Sequence, residues 1–79
     1  MDNINKAFGK HLRKLRTDRK LSQEELAFYA DLHRTYIGQI ERGEKNITLK
    51  NLEKIANSLS ISLKDLMDFE KDNGKELKK

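Results

Sequence analysis

Between Asn3 and Phe69 the apolar residues recur three or four positions apart, and nowhere do they alternate with polar ones over a sustained run. A strand needs a repeat of two and an amphipathic helix a repeat near 3.6, so the spacing argues against strands and predicts an all-α chain. The sequence has no proline and only four glycines, so little interrupts the helical pattern. Ile4, Phe8, Leu12 and Leu15 form one apolar stripe and predict a helix from about Asn3 to Lys20. Ser22 and Glu25 stand at the spacing of a reciprocal capping box and open a second helix, whose buried face is Leu26, Ala27 and Ala30. Asp31-Leu32 makes a tight turn. A third helix covers roughly His33 to Arg42 and is closed by Gly43 in a left-handed conformation. Thr48 caps a fourth helix carrying Leu49, Leu52, Ile55, Ala56 and Leu59. Ser62 and Asp65 form a second capping box, for a fifth helix with Leu63, Leu66, Met67 and Phe69. The stretch EKDNGKELKK, residues 70–79, has no stripe and is expected to be a flexible charged tail after a domain at 1–69.

A chain of 79 residues supports one small core. With no cysteine there is no disulfide framework and no thiolate metal site, and His11 and His33 stand far apart without an obvious third ligand. No metal is therefore expected. No apolar run approaches the roughly 20 residues that cross a bilayer, and the start MDNINKAFGKHL lacks the apolar core of a signal peptide. The expectation is a cytoplasmic protein with no membrane contact. No residue set offers a nucleophile with an oriented base, so no enzyme, cofactor or small-molecule ligand is expected. The net charge of +4 is unevenly distributed: residues 1–20 carry +5, residues 21–45 carry −2 and residues 46–79 carry +1. The basic first segment reads equally as a solvated helix face and as an attractor of phosphate.

The third helix carries the sharpest signal. At about 100° per residue, with Arg34 at zero, Gly38, Arg42, Thr35 and Gln39 fall at about 40°, 80°, 100° and 140°. Ile37 and Ile40 lie opposite, beside Tyr36. The helix therefore buries its isoleucines and presents a polar stripe. Arginine reads guanine with a two-pronged donor, glutamine pairs with adenine, and threonine meets a phosphate or a thymine methyl. Gly38 sits in that stripe at a cost of about 1 kcal/mol against alanine, which a close approach to another surface would explain. Any surface helix shows a polar stripe. What sets this one apart is that it follows a capped helix through a tight turn, as in a helix-turn-helix.

The stretch LSQEELAFYADLHRTYIGQIERG, with Gln23, Leu26, Ala27, Leu32, Ile37, Ile40, Glu41 and Gly43, resembles the helix-turn-helix of the phage-repressor and Cro family. The resemblance covers about residues 5–67. Within the family, HRTYIGQIERGEKNITLKNLEKIANSL is most similar to the controller proteins of restriction–modification systems. It implies a compact five-helix, lambda-repressor-like fold and a homodimer that binds double-stranded operator DNA, located at the nucleoid when bound. It also implies base contacts by Arg34, Thr35 and Gln39. Gln23, Tyr36, Arg42, Lys45 and Asn46 would contact the DNA backbone, and Arg16 and Glu41 would form a structural ion pair. The C-terminal end is expected to make the dimer, with Ile47, Ile61, Leu63, Met67 and Phe69 as the self-complementary patch and Leu52, Ile55, Leu59 and Leu66 as core.

The chain departs from the family pattern at three places. Asp31 stands where glycine is usual in the turn, and strain follows there. Phe28 and Tyr29 stand at commonly polar positions, and partial cover over helix 1 or a neighbouring helix is the favoured reading. His33 stands where an acidic or small polar residue usually caps helix 3. An antitoxin that neutralises a partner protein and regulates its own operon is the alternative function, although the short segment after helix 5 counts against it.

Overall fold

The computed structural model describes residues 3–69; the expected tail, 70–79, lies outside them. Among the described residues there are five helices and no strand: α1 (Ile4–Asp18), α2 (Gln23–Ala30), α3 (Arg34–Glu41), α4 (Leu49–Leu59) and α5 (Leu63–Leu66). The side chains of Asn3, Ser22, Thr48 and Ser62 each accept an N–H three residues on, so a side-chain oxygen satisfies one orphan donor at the start of each of these helices. At Ser22 the box is complete: Glu25 Oε1 accepts the Ser22 N–H at 2.8 Å. At Ser62 only one half forms, because Asp65 is one methylene shorter than a glutamate and does not reach back. His33 caps α3 through its ring: Nδ1 accepts the Thr35 N–H at 3.2 Å.

Four helices end in the same way. Lys20, Asp31, Gly43 and Ser60 all take the left-handed conformation, with φ of 59°, 59°, 76° and 60°. The residue after each of them donates its N–H to a carbonyl five positions back: Leu21 to Arg16, Leu32 to Ala27, Glu44 to Gln39 and Ile61 to Ala56. This is the Schellman motif. At three of the four ends the following residue is apolar and packs against the core: Leu21, Leu32 and Ile61. That anchoring contact offsets the cost of a left-handed non-glycine residue.

The core is Phe8 and Leu12 from α1, Leu26, Ala27 and Ala30 from α2, Ile37 and Ile40 from α3, Leu52, Ile55, Ala56 and Leu59 from α4, and Leu66 from α5. Helix α3 packs against α1 and α2, α2 against α4, and α4 against α5. Gly9 lets α1 meet the end of α3. A Cβ there would lie 2.5 Å from the carbonyl oxygens of Ile40 and Glu41, so no larger residue fits. Gly43 combines its positive φ with contact on Lys6, which locks the exit of α3 against the start of α1.

Several expectations need correction. Ile4 and Leu49 are exposed, because each is the first residue of its helix and its stripe runs past the core there. Phe28 and Tyr29 cover nothing: they are 78% and 62% exposed and stack edge-to-face on each other. On α2, Phe28 falls opposite the face of Leu26, Ala27 and Ala30 and Tyr29 falls to one side of it, so burying those three leaves both aromatics exposed. Helix α5 is a single turn. Met67 ends it and Phe69 lies beyond it. Phe69 packs edge-on against Phe8 and face-tilted against His11, with ring centroids 5.8 and 5.4 Å apart.

Candidate nucleic-acid interface

Along α3, Arg34 and Thr35 are exposed and Gln39 is half-buried. Ile37 and Ile40 anchor the other side of the helix in the core, so the polar stripe is held rigidly outward. The only acid on α3, Glu41, is turned inward, with its side chain 4% exposed. Arg16 Nε and Nη2 donate to its two carboxylate oxygens at 2.6 and 2.9 Å, and Arg16 Nη1 donates to the Leu21 carbonyl at 2.8 Å. The bidentate hydrogen bond to Glu41, with the attraction of its charge, holds the Arg16 guanidinium pKa above its ordinary value against the opposing effect of burial.

Gly38 is not on the exposed stripe as the helical wheel implied. It is buried, and the start of α2 lies on it. A Cβ at Gly38 would stand 3.2 Å from Arg42 Nη1 and 3.5 Å from Gln23 Oε1. The close approach that explains this glycine is therefore made by the protein's own side chains. It brings Gln23 of α2 and Arg42 at the end of α3 together.

The remaining candidates lie around the exit of α3. Arg42 is held by Glu44, with Nε and Nη2 at 2.9 and 3.2 Å from its carboxylate. These bonds and the paired charge raise the Arg42 pKa, and they hold the exposed Glu44 carboxyl below its usual value. A depressed carboxyl contributes its stabilisation above its unfolded value and loses it as pH falls through the folded one, so the pair is intact at neutral pH. Asn46 Oδ1 accepts from Asn5 Nδ2 at 2.7 Å, so the Asn46 amide NH2 is not used in that bond. Tyr36 is half-buried. Its hydroxyl accepts from Asn51 Nδ2 at 3.0 Å and keeps its own hydrogen to donate. Lys45 is exposed beside them. Asn5, Glu44 and Asn51 were missed from the sequence, because their partners lie across a helix junction or a loop.

At the other end of the chain, Leu63 and Met67 are exposed, while Ile47, Ile61 and Phe69 are partly buried and packed against the core.

The sequence profile of the helix-turn-helix family (HTH_3) matches residues 12–66, well over half of the chain. The chain belongs to the helix-turn-helix family. Within this family it is similar to the control protein C.BamHI of Bacillus amyloliquefaciens, with 51% identity over 69 residues, 86% of this chain and 85% of that one. Among solved structures it is similar to the restriction–modification controller protein C.AhdI of Aeromonas hydrophila. That match has a TM-score of 0.77 and 47% identity over 78% of this chain and 94% of that one. It also matches C.Esp1396I bound to a 25 base pair operator site, with a TM-score of 0.74 and 31% identity over 85% of this chain and 92% of that one. In helix-turn-helix terms α2 and α3 are the motif, α1 braces it, and α4 with α5 closes the core beneath it. Among the described residues no helix is long and apolar enough to cross a membrane.

Proposed function

We propose that this protein is a sequence-specific transcriptional regulator that binds palindromic operator DNA as a homodimer and controls a restriction–modification system. It would act in the cytoplasm, at the nucleoid. The observation that carries this reading is the outward stripe of α3. Arg34, Thr35 and Gln39 are held rigid by two buried isoleucines, the helix's one acid is withdrawn, and Gln23, Arg42, Lys45 and Asn46 gather around its ends. In a major groove, such a helix puts its first residues on base edges and its flanks on phosphates. The likeness to C.Esp1396I, solved bound to a 25 base pair operator site, supports duplex DNA as the partner. The control proteins among its relatives favour a regulator over a module that neutralises a partner protein.

One α3 reads only a few base pairs, so useful specificity needs two copies about one helical turn, ~34 Å, apart. Leu63 and Met67, each about two-fifths exposed, with Ile47, Ile61 and Phe69 at their margin, are the proposed self-complementary patch. Sedimentation at micromolar concentration is expected to give a dimer for the wild type and a monomer for Leu63→Glu. The variant should bind a two-fold-symmetric duplex, selected from a random pool, far more weakly. A wild type that stays monomeric and binds that duplex without cooperativity would rule out this assembly.

Gly38→Ala separates folding from binding. Alanine is worth about 1 kcal/mol more than glycine inside a helix. The side chains above it are flexible tips that can move by a few tenths of an ångström. The melting temperature is therefore expected to rise by several degrees, while affinity for duplex DNA falls because the Arg42 guanidinium is displaced. Unchanged affinity, measured by fluorescence anisotropy, would show that the glycine serves packing alone.

A further inference from the structure

Arg16 belongs to α1 and is buried, 8% exposed, so it does not present its charge at the interface. Its guanidinium grips Glu41 with two bonds and the Leu21 carbonyl with a third. Glu41, equally withdrawn, accepts one bond more: Gln23 Nε2 donates to its Oε1 at 3.1 Å. A carboxylate only accepts, so the side of the Gln23 amide that faces Glu41 has to be its NH2. This removes the end-for-end freedom that an exposed glutamine has. One Nε2 hydrogen goes to Glu41, the other stays free, and Oε1 lies over Gly38. A phosphate accepts and does not donate. The free hydrogen is thus what Gln23 has to offer it.

The geometry points to Arg16 and Glu41 as positioning residues for DNA binding, which hold the Gln23 amide with its donor toward a backbone phosphate. The inference rests on the DNA-binding reading above and deepens it: the ion pair that looks purely structural also aims a contact on another helix. Without the Glu41 carboxylate, the amide is free to turn its acceptor toward the phosphate.

Glu41→Gln tests this. With its oxygen on Arg16 Nε, which makes the shorter of the two Arg16 bonds to Glu41, a glutamine at 41 turns its NH2 toward Arg16 Nη2 and Gln23, so the Gln23 amide turns over. The folded variant is expected to lose roughly tenfold in affinity for duplex DNA of any sequence, as expected for a lost charge-assisted hydrogen bond. Gln23→Ala should lose about the same, and the double variant no more than either single one. Losses that multiply in the double variant, or a folded Glu41→Gln within twofold of wild type while Gln23→Ala is weakened, would overturn the inference. If Glu41→Gln does not fold, the side-chain amide spectrum of Gln23 in the wild type decides. Two well-separated Nε2 proton resonances, one of them exchanging slowly, support the arrangement, and two fast-exchanging ones refute it. Wild-type protein that retains no duplex DNA would count against the DNA-binding reading, and the spectrum would still report on the amide.

Discussion

Glu41→Ala is expected to lower stability by about 3–5 kcal/mol, because it leaves the Arg16 charge buried without a partner. For a domain of this size each kcal/mol is worth about 4–8 °C in melting temperature. A fall of more than ~12 °C follows, and a small domain has little margin to absorb it. The loss measures the penalty of an orphaned charge and overstates what the pair contributes. Arg16→Met combined with Glu41→Leu, which removes both charges and keeps the volume, is expected to recover more than half of it. The Leu21 carbonyl, which also accepts from Arg16, limits the recovery. Thermal and urea denaturation of the single and double variants check both statements. A Glu41→Ala loss below about 1 kcal/mol would show that water reaches Arg16 and that the pair behaves as an exposed one.

The second large effect is in binding. Arg34, Arg42 and Lys45 are exposed on the proposed face of each protomer, so a dimer brings six cations to the duplex before helix α1 is counted. If the dimer neutralises about six to ten phosphates, affinity is expected to fall by ~10³-fold or more between 50 and 200 mM salt. Arg42 first has to leave Glu44 for a phosphate. Glu44→Gln should therefore strengthen binding to all sequences while leaving their ranking unchanged. A log–log slope near zero would remove the electrostatic part of the account.

The residue pattern foretold most of the fold and less of the interface. Apolar spacing and the caps at Ser22, Thr48 and Ser62 located the helices, because both signals are local. Helix ends were harder. Gly43 announced itself, but Lys20 and Ser60 adopt the same left-handed conformation without a glycine. Their signal was a polar residue followed by a single leucine or isoleucine, which the core then captures. Phe28 and Tyr29 were misjudged because hydrophobicity alone does not say which face a short helix turns inward. At the interface, the helical wheel gave the direction of Arg34, Thr35 and Gln39 correctly. It placed Gly38 on the open stripe because a wheel shows one helix and omits the neighbour lying on it. The pairs Arg42–Glu44 and Asn5–Asn46 depend on where a loop folds back, which no periodicity records.

The central claim is that α3 reads sequence while the residues around it hold the backbone. Titrating wild type, Arg34→Ala and Gln23→Ala against a preferred palindromic duplex and against random duplex at one salt concentration tests it most directly. Arg34 stands exposed at the first turn of α3, where base edges come within reach. Losing its two-pronged contact is expected to cost about 1–3 kcal/mol at one base position of the preferred site and little on random DNA. Gln23→Ala is expected to weaken both duplexes by the same factor. An Arg34→Ala variant that loses equally on both duplexes, and so keeps the wild-type preference, would contradict the account.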